Sequence, residues 1–294
     1  MHKGITFVVV WVIIIALIVF GVIFLLRDKE ETIPAEEAIE EIVEDPLKTQ
    51  LVIGASVEGR PIEVFRYGNG DKHLLFVGGI HGGYEWNSTL LSYAFIDYLD
   101  ENPDFVPDNM TISVIPSANP DGLFKIIQKE GRFEAVDVPV DAEIALGRFN
   151  SNDVDLNRNF DCKWAPESTW RGNVVSAGTE AFSEPEAIAI RDFVASNTPD
   201  TVVFWHSKAN AVYASECEEG VLPETLGVMN TYSTASGYKP VPVFDAYEIT
   251  GDAEGWLASI GIPAVTVELE TRESIEWARN LAGVTALVNS YSQE

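Results

Sequence analysis

His81, Glu85, His206 and Glu268 stand where apolar runs of the chain give way to polar residues, and their types suit metal-dependent hydrolysis. His81-Gly-Gly-Tyr-Glu85 follows the run 72–80, and Asn119-Pro-Asp-Gly122 follows 110–115. His206-Ser207 follows 201–205, and Glu268 lies in the last run, 264–269. Two imidazoles and one carboxylate, with one position left for water, form the ligand set of a catalytic zinc. A base such as Glu268 takes a proton from that water while the metal polarises the scissile carbonyl. A lone histidine at a strand end is usually structural, and four polar strand ends together argue against that reading. Three residues separate His81 from Glu85. Gly82 and Gly83 give that stretch backbone freedom, and positions i and i+4 share a face of a helical turn.

Such a site needs a sheet that sets these strand ends side by side. Residues 51–56 and 61–66 read as short strands around the turn Glu58-Gly59-Arg60, and 72–80 as a buried strand. Leu90, Leu91, Ala94, Phe95, Tyr98 and Leu99 recur at helical spacing after Trp86. Residues 110–115, 201–205 and 264–269 have strand character. Ser183 and Pro185 open a helix over 184–196, and 274–291 closes the chain as a helix. This order implies an α/β fold, a mixed central β-sheet with helices on both faces. In such sheets chemistry gathers at the carboxyl ends of strands.

The chain has 294 residues, 46 of them acidic and 19 basic, for a formal charge of −27. That balance excludes a nucleic-acid binder, which needs clustered Lys and Arg. A hydrophobic content of 46% supports a full core. Two cysteines rule out a disulfide scaffold and a Cys-rich zinc module. Residues 5–26 are free of charge, and as a helix would extend about 33 Å, enough to cross a bilayer. The run is longer than a signal-peptide core and has no small-residue cleavage site, so it reads as a retained signal anchor in a lipid bilayer. The expected layout is a leader 1–4, a transmembrane helix 5–26, an acidic linker 27–50 and a catalytic domain 51–294. The short leader favours export of that domain, an extracytoplasmic placement. No obligate protein partner is evident.

The sequence resembles the zinc metallocarboxypeptidases, the family of the pancreatic carboxypeptidases and bacterial relatives, over residues 51–294. The resemblance rests on GGIHGGYE (78–85), NPDG (119–122), GRFNSNDVDLNRNF (147–160), FSEPEA (182–187), FWHS (204–207), YEITGDAEGW (247–256) and TVEL (266–269), in the family's order. It implies one zinc ion per chain held by His81, Glu85 and His206, although the family usually spaces the first pair His-x-x-Glu. It implies Glu268 as general base and Arg148 as the cation that stabilises the oxyanion. Asn157 and Arg158 match the pair that grips a terminal carboxylate, and Tyr247 matches a mobile tyrosine that closes over substrate. A guanidinium suits that grip because it offers a planar fork to a carboxylate. The alternative for Arg158 is an ion pair with Asp155 or Asp161, and for Tyr247 ordinary packing. Glu254 falls where relatives carry a residue at the base of the specificity pocket, or else it is a solvated helix-end glutamate. Cys162 and Cys217 form one disulfide in an exported domain, or remain two buried thiols. His73 is expected at the surface.

The resulting expectation is a membrane-anchored zinc carboxypeptidase acting on peptides with a free C-terminal carboxylate, from protein or cell wall. The alternatives are a zinc deacylase or amidase of small N-acyl amino acids, and a surface binding module without competent metal.

Overall fold

The computed structural model describes residues 48–245 and 247–293. The expected anchor at 5–26 lies outside them, as does the linker apart from 48–50. Those three residues open the first strand, β1 (Lys48–Ala55), so the sheet begins inside the stretch expected as linker. Among the described residues no helix is long and apolar enough to cross a membrane.

Eight strands form the main sheet: β1, β2 (Pro61–Gly68), β3 (Lys72–Val77), β4 (Met110–Ile115), β7 (Thr201–Ser207), β8 (Ala211–Ala214), β11 (Lys239–Val241) and β12 (Ala264–Leu269). Between β4 and β7 the chain makes a small hairpin, β5 (Glu167–Trp170) and β6 (Asn173–Ser176). A second small pair, β9 (Glu216–Cys217) and β10 (Gly220–Val221), follows β8. The spatial order is β1-β2-β4-β3-β7-β12-β8-β11. β4, β3, β7 and β12 run parallel, β2 pairs antiparallel with both β1 and β4, and β8 pairs antiparallel with β12 but parallel with β11, so the sheet is mixed. Every residue of β4 and β7 is buried, which explains the apolar run Val202–Trp205 in β7, while β4 buries Thr111 and Ser113 among its apolar residues.

Both faces are covered by helices. Alternate strand residues point to opposite sides. Leu74, Phe76, Val203, Trp205, Val265 and Val267 pack on one side with Phe95 of α1 (Trp86–Glu101), Tyr232 of α4 (Pro223–Ser236) and Leu287 of α6 (Trp277–Ser292). Leu75, Val77, Val202, Phe204 and Ala264 pack on the other with Ile190 of α3 (Pro185–Asn197) and Trp256 of α5 (Ala253–Ser259). A smaller cluster joins Trp86 to Leu123 and Ile126 of α2 (Pro120–Ile127).

Several local readings change. β3 stops at Val77, and Gly78-Gly79-Ile80 is already loop. Pro185 sits in the first turn of α3 as expected, but the cap position is Glu184; the Ser183 hydroxyl donates instead to Glu184 Oε1 at 2.8 Å. Asn119 caps α2, its Oδ1 accepting from the Gly122 amide at 2.8 Å, so its side chain serves the fold and not the metal site. His73, expected at the surface, is 5% exposed. Its ring bridges Ser113 Oγ at 2.8 Å and the Asn197 carbonyl at 3.3 Å, and these partners offset the cost of burying it.

Candidate active site

The parallel pairing of β7 with β12 sets His206 directly beside Glu268. By strand alternation both follow Val202, Phe204 and Ala264 toward the α5 side of the sheet. The loop after β3 brings in His81, and the tight turn Gly82–Glu85 brings in Glu85. That turn packs backbone to backbone on the start of α2. Gly82 has a φ of +44°, and a Cβ there would lie 2.6 Å from the Gly147 carbonyl oxygen and 2.7 Å from Gly122. Glycine is therefore required, and the turn accommodates the three-residue interval between His81 and Glu85.

His81 Nδ1 and His206 Nδ1 face each other at 3.2 Å. Glu85 completes the group, with Oε1 3.1 Å from His81 Nδ1 and Oε2 3.0 Å from His206 Nδ1. All three side chains are buried. The opposite ring edges meet carboxylates: His206 Nε2 lies 3.1 Å from Glu254 Oε1, and His81 Nε2 lies 3.6 Å from Asp155 Oδ1. A ring that gives its Nε2 proton to a carboxylate presents a lone pair at Nδ1, the tautomer a metal requires. That lone pair on His206, the facing Nδ1 of His81 and an ionised carboxylate, converging from two chain segments, fit zinc. Burial opposes ionisation of Glu85, yet the facing His81 and His206 hold its carboxyl well below the usual range. Burial likewise opposes charge on His206, but Glu85 and Glu254 raise its pKa well above the ordinary histidine value.

Arg148 and Glu268 flank this group. Arg148 is 4% exposed and grips Asp155 Oδ2 with Nε and a terminal nitrogen, each at 2.8 Å. Asp155 thus joins Arg148 to the back of His81, and neither atom of the 3.6 Å pair His81 Nε2 and Asp155 Oδ1 has a hydrogen-bond partner. Glu268 is partly buried, and its Oε2 has no hydrogen-bond partner. Burial, with the Glu85 charge beside it, pushes the Glu268 carboxyl up to about 7.

These residues line a cavity of about 820 Å³ that also receives Asn157, Arg158 and Tyr247. The guanidinium of Arg158 donates to the Asn157 carbonyl and makes no ion pair with Asp155 or Asp161. Asn157 Oδ1 accepts from the Ala253 amide at 2.8 Å, which ties this loop to α5. Tyr247 is 53% exposed at the rim, its ring 4.8 Å from that of Phe244. Cys162 and Cys217 are joined in a disulfide, with a Cα–Cα distance of 6.0 Å, fastening the Arg158 loop to β9.

Glu254 lines the cavity, as its expected place at the specificity pocket requires, and the alternative of a solvated residue fails. It is 2% exposed, so it is not a solvated helix-end residue. Its Oε1 accepts from Thr266 Oγ1 at 2.9 Å and meets His206, so its charge is compensated within the protein rather than left for a basic substrate side chain. The facing His206 holds its carboxyl down to about 2 although burial opposes ionisation. Replacing Glu254 by Gln is expected to weaken zinc binding by about 10- to 100-fold. Competition with a chromophoric chelator measures this, and unchanged affinity would remove Glu254 from the support of His206.

Asp155, Thr266, Tyr84, Trp170 and Arg272 also belong to the site; the first three lie within the family motifs but are not singled out there, and nothing in the local sequence marks Trp170 or Arg272. Asp155 was visible only as a carboxylate near Arg158, and its hold on Arg148 and His81 depends on a fold that joins residues 74 positions apart.

Comparison with known proteins agrees with this geometry. Residues 36–277 match the family model described as zinc carboxypeptidase. A gamma-D-glutamyl-L-diamino acid endopeptidase of Lysinibacillus sphaericus is 28% identical over 240 residues, covering 74% of this chain and 59% of that protein. The chain therefore spans only about three fifths of that relative's length. Mouse carboxypeptidase M is 32% identical over 159 residues, 50% of this chain and 30% of its own. Among solved structures, a carboxypeptidase A from Helicoverpa armigera superposes with a TM-score of 0.67 at 21% identity, covering 84% of this chain and 69% of that one. The murein-tripeptide amidase MpaA from Escherichia coli O157 superposes with a TM-score of 0.57 at 22% identity, covering 81% and 91%. These structures share the fold, and the family match spans well over half of the sequence and every residue of the site: the chain belongs to the zinc carboxypeptidase family.

Proposed function

We propose that this protein is a membrane-anchored, zinc-dependent carboxypeptidase that hydrolyses the C-terminal bond of peptide or cell-wall peptide substrates. The observation that carries the reading is one cavity holding a three-residue metal cluster, a base with a raised pKa and an arginine without a carboxylate partner. Zinc held by His81, Glu85 and His206 would supply Lewis acidity at the scissile carbonyl and the attacking water. Glu268 removes a proton from that water and passes it to the departing amine; burial and the Glu85 charge raise its pKa and make it a stronger base than an ordinary carboxylate. Arg148, held in place by Asp155, offers a fixed charge to the oxyanion as it develops. Arg158, with Asn157 beside it, takes the terminal carboxylate, and Tyr247 covers the bound peptide. Cell-wall peptide is favoured over general protein because two similar proteins bear names that specify a gamma-D-glutamyl-L-diamino acid bond and a murein tripeptide.

The layout proposed is a leader 1–4, a transmembrane anchor 5–26, a linker ending near residue 47 and a catalytic domain outside the cytoplasm. The uncharged run at 5–26 supports the anchor, and the Cys162–Cys217 disulfide fits an oxidising compartment. The full chain, solubilised in detergent, is expected to contain about one zinc ion per molecule. It should release free amino acids from peptides with a free C-terminus and leave C-terminally amidated copies intact. Metal-free protein after zinc loading, or equal cleavage of both peptides, would overturn the reading.

A further inference from the structure

Charge inside the cavity is arranged differently from charge on the rest of the domain. Elsewhere the basic side chains are largely neutralised, as in Lys48–Asp100, Arg132–Asp97 and Arg279–Glu276. Among the described residues, Arg158, Lys163, Arg171, Lys208 and Arg272 line the cavity, and none has a carboxylate at ion-pair distance. In a chain with more than twice as many acids as bases, unpaired cations gathered at one site point to an anionic ligand.

Arg272 is the most fixed of those beside the metal cluster. One terminal nitrogen donates to Tyr84 Oη at 2.7 Å and to the Ser207 carbonyl at 3.2 Å, and the guanidinium lies 4.1 Å from the centre of the Tyr84 ring. Its Nε is buried and has no partner. Tyr84 packs edge-on against Trp170, and the Arg171 guanidinium stands 5.3 Å from the Trp170 ring. Two guanidinium groups with no carboxylate at ion-pair distance thus border an aromatic pair, where a guanidinium can donate to an incoming carboxylate; the Arg272 charge also reaches Glu268.

Their position relative to the metal cluster identifies which part of a substrate they would meet. Arg272 contacts Tyr84 and Ser207, the residues directly before Glu85 and after His206. The Arg158 guanidinium instead donates to the Asn157 carbonyl, and Asn157 Oδ1 accepts from the Ala253 amide of α5. The two arginines share none of these neighbours. We infer that Arg272, with Arg171 at the rim, binds a second carboxylate on the carbonyl side of the scissile bond. The preferred substrates are therefore peptides in which an acidic residue donates the attacked carbonyl. That residue is either α-linked, offering its side-chain carboxylate, or γ-linked, offering its α-carboxylate. Assignment of the carbonyl side rests on the proposed role of Arg158 at the other end.

The test uses the full chain and matched peptides with a free C-terminus: acetyl-Glu-Lys, its γ-linked isomer and acetyl-Gln-Lys. Calorimetry of the cleaved acyl products, acetyl-glutamate and acetyl-glutamine, accompanies the kinetics. The wild type is expected to favour one glutamyl substrate over the glutaminyl one by on the order of 10- to 100-fold in kcat/KM, and to bind acetyl-glutamate more tightly by a similar factor. Which glutamyl isomer is favoured identifies the linkage. Arg272→Met should abolish the preference, bringing kcat/KM for the favoured glutamyl substrate down to that for the glutaminyl one. Arg272→Lys should keep part of the preference, which guards against a folding artefact in the methionine variant. Equal binding of the two acyl products by the wild type, or a preference unchanged in Arg272→Met, would overturn the inference. Selective binding of acetyl-glutamate that depends on Arg272, with no hydrolysis of any peptide by the zinc-loaded wild type, would support the subsite and refute the proposed activity instead.

Discussion

Glu268→Gln is expected to lower kcat by on the order of 10²- to 10⁴-fold while zinc content and KM stay near wild type. The amide keeps the shape of the side chain beside His206 and cannot accept the proton. Because Glu268 is not among the three clustered ligands, metal retention separates loss of the base from loss of the site. The same carboxylate sets the pH response. Burial and the neighbouring Glu85 raise its pKa, so it holds its proton up to about pH 7. Base catalysis needs the ionised form, so kcat/KM falls as pH drops through that value. A cation at the His81–Glu85–His206 cluster adds positive charge nearby and moves the acid limb below about 7. Profiles of kcat/KM against pH should show this limb in the wild type and lose it in the glutamine variant. A fully active variant, or an unchanged limb, would remove Glu268 from the proton transfer.

Arg148→Ala is expected to act on both rate and stability. Loss of a preorganised charge at a developing oxyanion costs on the order of 10²- to 10³-fold in kcat. Asp155, fully buried, would then keep its charge without its bidentate partner, a loss of about 3–5 kcal/mol for a broken buried pair. Arg148 also holds Asp155 behind His81, so zinc affinity should fall as well. Arg148→Lys keeps the charge without the fork and should fall between wild type and alanine in both measures. Urea unfolding of the metal-free proteins and single-turnover rates of the zinc-loaded ones separate the effects. A variant as stable as wild type would show that the Arg148–Asp155 contact contributes nothing to the fold.

Much of the frame was legible because buried parallel strands are written as uninterrupted apolar runs. Residues 74–77 and 202–205 are examples, and polar residues just beyond them, such as His81 and His206, mark the active edge. The residues His81, Glu85, His206, Glu268, Arg148, Asn157 and Arg158 all line one cavity. What escaped has a common cause. α4 buries Thr225, Ser233 and Ser236 along with its apolar residues, so no clean apolar stripe announces it. Glu254 was read from its distance to Tyr247, but its partner His206 is 48 residues away in sequence and reaches it only through packing of α5 on the sheet. His73 looked like a surface residue because its partners, Ser113 and Asn197, come from two remote segments. Local patterns reveal which residues carry chemistry; they do not reveal which buried polar groups hold those residues still.

The position of β12 has a consequence for how this molecule comes into being. Last in chain order among the described strands, it fills the slot between β7 and β8 and carries Glu268. A nascent chain that has not reached residue 264 has neither a continuous sheet nor a proton acceptor, however well its earlier parts have condensed. The sheet and the proposed base are therefore completed together, only once residues 264–269 are in place.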